Sequence, residues 1–503
     1  MRFVVLVGFV TFVLLLNLKS LEANSDNEVK EVPKNKHSKI DVSKNDMVHI
    51  KERKRKREKT KDLIRLSKIN DKKPKNKQSY KKKLMALVHS DLNELVEYKN
   101  KLSPEGGNNF FLNPIAKENS RISKHQIVPC VEDCKKKVII LALDGGGIRG
   151  IIPAYILTYI EAITGKKIHE LFDVVGGTST GGLIAAAIGV PDRCIYNQPL
   201  YAAKEIVEFY IKDKKLIFRK SKNPLAHGGL ARAKYRDSGL EKFIKKRYTR
   251  RYRLGDMLTP VVLTGFDSNA KKLKLYSSVD VYLDETFDHR IYKATRVTAA
   301  APTFFKSVKN NLETESIEGV KKEKQVQVLR DGGLIANNPS EQAYEVARKL
   351  FPHKQEADFI VISIGTGKSP KSKSHSNLGK INAAEIVQDF MSAQMAETDR
   401  KMREKLGKNY VRIQANLDEK ARLDDVSKKY LVKLLKAAQT IIVEQAQTFI
   451  HLNEVWQIQD GKHGGSYDLW RGMKEQYLNT MSTQTKEEHY APSSPMFVRS
   501  DAE

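Results

Sequence analysis

The sequence is poor in cysteine. Only three occur among 503 residues, Cys130, Cys134 and Cys194, so disulfide bonds within the chain leave at least one of them unpaired. Cys130 and Cys134 can join each other, or one of them can join Cys194, and the spacing does not choose between these pairings. No closely spaced set of cysteines and histidines has the ligand spacing of a zinc site, so no metal is expected.

Long apolar runs are also scarce. One lies at the start, where Met1-Arg2 precedes fourteen uncharged residues, Phe3 to Leu16, and a more polar segment ends at Ala23. This order matches the three regions of a secretory signal peptide, and the run is too short for a comfortable membrane span. We therefore expect residues 1–23 to be a signal peptide, with an uncleaved signal anchor as the alternative. The protein is expected in the secretory pathway or outside the cell, peripheral at membranes.

Acidic residues are outnumbered by basic ones. The chain has 89 Lys and Arg against 60 Asp and Glu, a formal net charge of +29, which favours anionic surfaces in general. The excess is concentrated in residues 24–105, where the stretch from Lys51 to Lys83 holds 17 basic and 4 acidic residues. Large apolar side chains are few in this low-complexity segment, so we expect it to be largely disordered, followed by a linker at 106–135.

A basic tract of this kind has several uses. It could be a nuclear address, a nucleic-acid-binding arm, a tether to an anionic membrane or only a solvated extension. A signal peptide argues against the nucleus, and each Lys or Arg near an anionic bilayer contributes about 1 kcal/mol of attraction. We therefore expect peripheral contact with an anionic membrane surface and no nucleic-acid partner. Nothing in the sequence indicates an oligomeric state.

What the chain does contain is three strings built around glycine: Asp144-Gly-Gly-Gly-Ile-Arg-Gly150, Gly177-Thr-Ser-Thr-Gly181 and Asp331-Gly-Gly333. The middle string matches Gly-x-Ser-x-Gly, the nucleophile elbow that lifts a serine hydroxyl out of a sheet. Its neighbours fit, because a short apolar strand pattern precedes it and a helix pattern of small residues follows it. Ser179 is therefore the candidate nucleophile. The alternative is that Ser179 only caps the helix, a position that serine favours.

The first string has two interpretations. It satisfies Gly-x-Gly-x-x-Gly after the apolar strand Val138 to Leu143, which is the dinucleotide-binding pattern when an acidic residue, here Glu170 or Asp173, follows about 20 positions on. The other interpretation is an oxyanion hole, in which backbone N–H groups face the negative charge that develops on an attacked carbonyl. A nucleophile beside the loop separates the two, so Ser179 favours the oxyanion hole.

The third string supplies a base. Val326 to Arg330 alternates like a strand, and Asp331 follows at its carboxyl end, the edge where catalytic groups of open α/β sheets collect. A carboxylate there can accept the proton of Ser179. The alternative is an aspartate in an ordinary turn before glycine.

Together these strings resemble the patatin-like phospholipase family, whose pattern is an Asp-Gly-Gly-Gly-x-Arg-Gly loop, a Gly-x-Ser-x-Gly elbow and an Asp-Gly-Gly or Asp-Gly-Ala motif. Three further stretches agree with that family: Ala294 to Phe305, Asn337-Asn-Pro339 and Ser363 to Gly367. The resemblance spans residues 136–370, and it says nothing about the chain before them.

The resemblance implies a serine–aspartate dyad, with Ser179 as nucleophile and Asp331 as general base. It implies an oxyanion hole formed by the region of Gly145, Gly146, Gly147 and Arg149. The remaining motif glycines are Gly150, Gly177, Gly181, Gly332 and Gly333. No cofactor is expected, calcium included, and no catalytic histidine.

Two alternatives stay open at this point. A Ser-His-Asp scheme would need an imidazole, and His227 or His289 could approach the site. Arg149 could support the oxyanion loop or meet a lipid phosphate, or it could form an ion pair that only fixes the loop.

The pattern of apolar runs predicts an α/β fold. Val138 to Leu143, Pro260 to Thr264 and Phe359 to Ile364 are typical of buried strands, and they alternate with helical patterns such as Ile151 to Ile163 and Ser340 to Leu350. We expect a mostly parallel sheet flanked by helices, which the resemblance relates to a modified α/β-hydrolase type.

The last part of the chain, 371–503, is predicted to be a helical extension packed on the catalytic domain, 136–370. Apolar residues recur there at helical spacing: Val426, Tyr430, Leu434, Ala438, Ile441 and Ile442. We expect this stripe to pack into the core. The alternatives are docking to a membrane or to a partner helix.

The expected function is hydrolysis of fatty-acyl esters of membrane phospholipids through an acyl-enzyme intermediate. Triacylglycerols are the alternative substrate class, and a catalytically silent lipid-binding protein is the alternative function. A nucleotide-binding oxidoreductase would leave Ser179 and Asp331 unexplained. The headgroup, the acyl position and the chain length cannot be read from the sequence.

Overall fold

The computed structural model describes residues 85–86, 88, 92–97 and 137–460, apart from 196, 222–232, 249, 283, 314–323, 371–382 and 419–420. Several predicted features lie outside the described residues: the signal peptide at 1–23, the linker at 106–135, Cys130, Cys134, His227 and the end of the C-terminal extension at 461–503.

The centre of the fold is a mixed sheet. Its strands are β1 (Val138–Leu143), β2 (Val174–Gly177), β3 (Val261–Asp267), β4 (Lys272–Ser277), β5 (Val308–Glu313), β6 (Lys324–Asp331), β7 (Phe359–Ile364) and β8 (Tyr410–Ile413). They lie in the order β5-β6-β3-β2-β1-β7-β8, and β4 also pairs with β3.

The sheet is parallel in its centre and antiparallel at one side. β3, β2, β1, β7 and β8 all run in the same direction. β4 and β6 run antiparallel to β3, and β5 runs antiparallel to β6. The predicted α/β fold with mostly parallel strands is confirmed, and the antiparallel side is an addition that the apolar runs did not indicate.

Helices cover the sheet. They are α1 (Ile151–Thr164), α2 (Ile168–Leu171), α3 (Thr180–Gly189), α4 (Ala203–Glu208), α5 (Lys214–Ile217), α6 (Asp237–Tyr248), α7 (Ile291–Thr298), α8 (Ser340–Leu350), α9 (Ala383–Leu406), α10 (Lys428–Glu444) and α11 (Ala446–Asp460). Within the described part of the chain, none of these helices is both long enough and apolar enough to span a membrane.

Strand β1 shows that both faces of the sheet are buried. Successive side chains of a strand point to opposite faces. Ile139, Leu141 and Leu143 accordingly belong to a first core cluster, together with residues of α1, α3 and α10, whereas Val138 and Ile140 belong to a second cluster with residues of α8 and α9. The sheet is therefore the middle of three layers, as expected for a sheet with a parallel centre.

The stripe at the end of the chain lies in the first core cluster. Tyr430, Leu434, Ala438, Ile441 and Ile442 of α10 are buried there, and Val426 packs against it. Helix α10 contacts α1, and α11 places Phe449 edge-on against Tyr159 of α1 with ring centroids 5.3 Å apart. The apolar face of α10 is thus covered by the protein itself.

Part of the basic N-terminal segment also reaches this core. Residues 85–86, 88 and 92–97 are helical, and Val88, Leu92 and Leu95 are buried in the first cluster. The disorder predicted for 24–105 stays a prediction, since most of that segment lies outside the described residues. Its last part, however, packs with the globular domain.

We expect Leu434→Ala to lower the free energy of unfolding by about 2–5 kcal/mol, because it leaves a cavity at a fully buried position of α10. Urea unfolding followed by circular dichroism measures the change. Thr440→Ala, at an exposed position of the same helix, is the control and should change stability by less than about 0.5 kcal/mol. Equally small effects of both would show that α10 is not part of the cooperative core.

Candidate active site

Ser179 lies in a sharp turn between β2 and α3. Its φ of 54° and ψ of −119° are strained for a residue with a side chain, at a cost on the order of 1–3 kcal/mol. The residue occupies the N-cap position of α3, yet its side chain makes no capping hydrogen bond. Its backbone N–H donates to Oγ1 of Thr298 at 2.9 Å. The geometry is that of a nucleophile elbow and does not support a serine that only caps the helix.

The glycines on either side of Ser179 allow a close crossing of the chain. A Cβ on Gly181 would lie 2.1 Å from the carbonyl oxygen of Leu143, at the end of β1, and a Cβ on Gly177 would lie 2.3 Å from the carbonyl oxygen of Gly181. Neither contact is physically possible, so a side chain at either position would deform the turn. The Gly-x-Ser-x-Gly spacing is therefore required by the approach of α3 to β1 and β2.

Asp331 is the last residue of β6, and the register of the sheet brings it to the elbow. Catalytic groups of open α/β sheets usually collect at the carboxyl ends of parallel strands, but β6 runs antiparallel to β3 and ends with Asp331 opposite Gly265. Strand β2 pairs with β3 as far as Gly177, which lies opposite Leu263. Strand β6 therefore enters the sheet at the edge where the parallel strands end, and its own last residue lies level with Ser179.

The carboxylate of Asp331 is buried, with 1% of the residue exposed. Its Oδ1 accepts a hydrogen bond from the N–H of Gly333 at 2.8 Å, and Oδ2 has no hydrogen-bond partner among the described residues. Burial raises the pKa of Asp331 to about 7, and the side chain of Ser179 and the N–H of Gly333 act in the opposite direction. A carboxylate with a pKa in this range is suited to act as a general base near neutral pH.

The loop after β1 lines the same cavity. The N–H of Gly145 is already occupied, because it donates to the carbonyl oxygen of Asn337 at 3.1 Å. Gly146 and Gly147 line the cavity beside Ser179, and their N–H groups make no hydrogen bond within the described residues. These two amides can bind an anion, whereas the predicted contribution of Gly145 is not supported.

Arg149 fixes this loop from behind. Its Nη1 donates to the carbonyl oxygen of Gly367 at 2.8 Å and its Nε to that of Gly146 at 3.4 Å. Burial lowers the pKa of the guanidinium from its ordinary value. Of the three roles predicted for Arg149, the geometry favours fixing of the loop, with carbonyl oxygens as the hydrogen-bond partners. Gly150 ends the 3₁₀ turn that leads into α1.

The last motif glycines form the turn after β6. Gly332 and Gly333 begin the 3₁₀ turn Gly332–Leu334, and the side chain of Asp331 caps that turn through Gly333. A Cβ on Gly332 would lie 2.1 Å from Oγ1 of Thr264 on β3. The chain can therefore leave the sheet immediately after Asp331 only with glycine at this position.

A buried ion pair under the loop had no counterpart among the predictions. Both carboxylate oxygens of Asp144 accept from the guanidinium of Arg412 on β8, with Nη1 to Oδ1 at 2.9 Å. Nη1 of Arg412 also donates to Oγ of Ser363 on β7 at 2.6 Å. Burial raises the pKa of Asp144, and the positive charge of Arg412 opposes that shift. The signal in the sequence was only an arginine within a short apolar strand.

An apolar cavity opens beside Ser179 and Asp331, with about 970 Å³ of empty space including its mouth. Its walls come from α3, α4, α5, α6 and the segment after α7, and they include the side chains of Ile184, Phe209, Ile217, Phe243, Phe304 and Phe305. An apolar lining of this kind suits a hydrocarbon chain.

The structure gives no support to a catalytic histidine within the described residues. No histidine among them lines the cavity. His289 packs edge-on against Tyr276 with ring centroids 5.1 Å apart.

The dinucleotide interpretation also fails on geometry. Oδ2 of Asp173 accepts from the N–H of Ile139 at the start of β1, and a carboxylate oxygen of Glu170 accepts from the N–H of Lys167. Both acids precede β2 and therefore lie at the amino end of the parallel strands, opposite the glycine loop. In the described part of the chain, no group of three or more His, Cys, Asp and Glu could hold a metal ion, and Cys194 is exposed and makes no disulfide with a described residue.

We expect Arg412→Met to lower the free energy of unfolding by about 3–5 kcal/mol, since it leaves the carboxylate of Asp144 buried without its counter-charge. Chemical denaturation measures the loss. The double variant Asp144→Asn/Arg412→Met removes both charges and should regain part of the stability. If the double variant is no more stable than Arg412→Met, the loss does not come from an unpaired charge.

The comparisons with known proteins agree with these motifs. The family model described as patatin-like phospholipase matches residues 141–344. Patatin-like protein 2 of Oryza sativa subsp. indica is 31% identical over 348 residues, which are 61% of this chain and 84% of that protein. Patatin-T5 of Solanum tuberosum is 29% identical over 336 residues, 61% of this chain and 83% of that protein. Patatin-like protein 1 of Arabidopsis thaliana is 34% identical over 284 residues, 52% of this chain and 65% of that protein.

The matched residues contain the glycine loop 144–150, the turn at Ser179 and Asp331, so the resemblance recognised in the three strings is confirmed. The chain belongs to the patatin-like phospholipase family.

Proposed function

We propose that this chain hydrolyses fatty-acyl esters of membrane phospholipids through a Ser179–Asp331 dyad. Membership of the family supports lipid acyl hydrolase activity in general. The observation that carries the finer proposal is that the strained serine and the buried carboxylate line one apolar cavity together with Gly146 and Gly147. A secretory location and contact of the basic segment with anionic membranes belong to the same proposal, because they would bring the enzyme to its substrate.

In the first half of the reaction, Oγ of Ser179 attacks the ester carbonyl carbon while Asp331 accepts the hydroxyl proton. The carbonyl oxygen becomes an oxyanion and takes hydrogen bonds from the N–H groups of Gly146 and Gly147. The carbon–oxygen bond to the glycerol side then breaks, and Asp331 returns its proton to the leaving alkoxide. The products of this half are the acyl-enzyme and a lysophospholipid.

In the second half, water attacks the acyl carbonyl and Asp331 accepts one of its protons. The oxyanion again faces the two amides. When the bond to Oγ breaks, the proton returns to Ser179 and the fatty acid leaves. Each step thus uses the same carboxylate, alternately as base and as acid.

Burial allows an aspartate to do work that a histidine does in the Ser-His-Asp scheme. An exposed aspartate has a pKa of about 3.9 and is a poor base for a serine hydroxyl, whereas imidazole has a pKa of about 6.5. The pKa of Asp331, raised to about 7, lies close to that of imidazole. The apolar surroundings therefore supply the basicity that an imidazole would otherwise bring.

We expect Ser179→Ala to abolish both turnover of phosphatidylcholine vesicles and labelling by a fluorophosphonate probe. Asp331→Asn should lower turnover by roughly 10²–10⁴-fold, since the base is lost. Ser392→Ala, at an exposed serine on α9, should behave as the wild type.

Equal labelling and turnover of Ser179→Ala and the wild type would refute the proposed nucleophile. Vesicle binding without turnover or labelling of the wild type would indicate a silent lipid-binding protein, and turnover of triacylglycerol alone would indicate a neutral-lipid lipase.

We expect kcat/KM to rise with pH through an acid limb at about 7 and then to level off, because Asp331 must lose its proton before it can act as a base. A pH profile on a soluble ester measures it. His289→Gln is the control and should leave the limb in place, since His289 is not among the residues that line the cavity. A rate that does not change between about pH 5 and 8 would contradict the assignment of the base.

A further inference from the structure

The segment 421–424 connects the oxyanion loop to the cavity. The carbonyl oxygen of Leu423 accepts the N–H of Ile148 at 2.8 Å. Ile148 directly follows Gly147, so this bond holds the loop at the residue next to an amide that faces the oxyanion. The side chain of Leu423 also lines the cavity. The position of the loop therefore depends on where the 421–424 segment is held.

Asp424, the next residue, is tied to a different part of the cavity. Its Oδ2 accepts from the hydroxyl of Tyr235 at 2.7 Å and from Nζ of Lys234. The Asp424 side chain is 18% exposed, and that of Lys234 33%, so the contact is shielded from much of the solvent. Hydrogen bonds to a charged acceptor of this kind are stronger than neutral ones.

Lys234 and Tyr235 in turn hold the aromatic wall, which is the part of the cavity lining formed by Phe304 and Phe305. The N–H of Lys234 donates to the carbonyl oxygen of Thr303 and that of Tyr235 to the carbonyl oxygen of Phe304, both at 2.9 Å. The rings of Tyr235 and Phe304 lie parallel within 8°, and the Tyr235 ring is 5.8 Å from that of Phe305. Thr303 has a φ of 69°, a conformation that a threonine adopts only when its surroundings impose it.

We propose that Asp424 is a positioning residue that couples the aromatic wall of the cavity to the oxyanion loop. The inference rests on the proposed function, since it assigns the wall to the acyl chain and the loop to the oxyanion. One carboxylate holds the Lys234–Tyr235 pair on one side, and on the other its own segment holds Ile148 through Leu423. Recognition of long acyl chains and the rate of the chemical step therefore depend on the same contact.

A purely structural role predicts something different. If Asp424 only stabilised the fold, its loss would lower the melting temperature and leave the kinetic constants of the folded fraction unchanged. Coupling instead requires two separate kinetic effects. The KM for a long ester rises because the wall loosens, and the kcat for a short ester that does not reach Phe304 and Phe305 falls because the loop loosens.

The test compares Asp424→Ala with the matched control Asp425→Ala on p-nitrophenyl butanoate and p-nitrophenyl dodecanoate. Asp425 carries the same charge, but it bonds with the exposed Arg422 and with the N–H of Ser427 and makes no hydrogen bond to Tyr235 or Lys234 among the described residues. We expect Asp424→Ala to lower kcat on butanoate and to raise KM for dodecanoate, each on the order of tenfold. Asp425→Ala should change either constant by less than about twofold.

Further variants separate the coupling from a folding defect. Tyr235→Phe removes only the hydroxyl, keeps the stacked ring and should show both effects in weaker form. Asp424→Glu keeps the carboxylate and should recover part of both constants, and melting temperatures show which variants are folded. The coupling would be overturned if Asp424→Ala left the ratio of kcat/KM between the two esters unchanged. It would also be overturned if the KM for dodecanoate changed while the kcat on butanoate stayed the same.

A binding measurement keeps this inference distinct from the proposed function. In the Ser179→Ala background, which needs no turnover, Asp424→Ala should weaken binding of a fluorescent twelve-carbon fatty acid about tenfold, and Asp425→Ala should not. If the wild type showed no hydrolysis that depends on Ser179 but fatty-acid binding still depended on Asp424, only the proposed function would be overturned. Binding that is independent of Asp424 would overturn the role of Asp424 in the wall.

Discussion

Burial of one carboxylate beside one strained serine is the constraint on which the site depends. Asp331 is held in an apolar setting that raises its pKa to about 7, and the elbow imposes a positive φ on Ser179. Both are costs to the folded state. They are offset by the buried sheet and by the helices on both of its faces. The same apolar surroundings form the cavity for the acyl chain.

The sequence predicted those helices and strands whose local pattern of apolar residues is distinctive. The predicted strands Val138 to Leu143 and Phe359 to Ile364 coincide with β1 and β7, and the predicted helix Ser340 to Leu350 coincides with α8. The helix is strongly amphipathic, and the two strands are short apolar runs of the length typical of buried strands. The elbow was readable for a related reason, because the close crossing at Gly177 and Gly181 admits only glycine.

What the sequence did not reveal depends on pairing between distant residues. Nothing local to Lys324–Asp331 shows that β6 runs antiparallel, and that direction is what brings Asp331 level with Ser179. Arg412 pairs with Asp144 across 268 positions, and no periodicity marks an arginine that is needed two strands away in the sheet. The amide of Gly145 was predicted to be an oxyanion donor, but it donates its hydrogen bond to the carbonyl oxygen of Asn337.

The central claim is that the fold makes an aspartate basic enough to replace an imidazole. Its most direct test is a ¹³C NMR titration of the carboxyl groups, with the resonance of Asp331 assigned by its absence in Asp331→Asn. The account predicts a midpoint at about 7 for this resonance, together with a higher midpoint in Ser179→Ala, because that variant lacks the hydroxyl that lowers the pKa of Asp331. A midpoint of about 4, the ordinary value for an aspartate, would contradict the account.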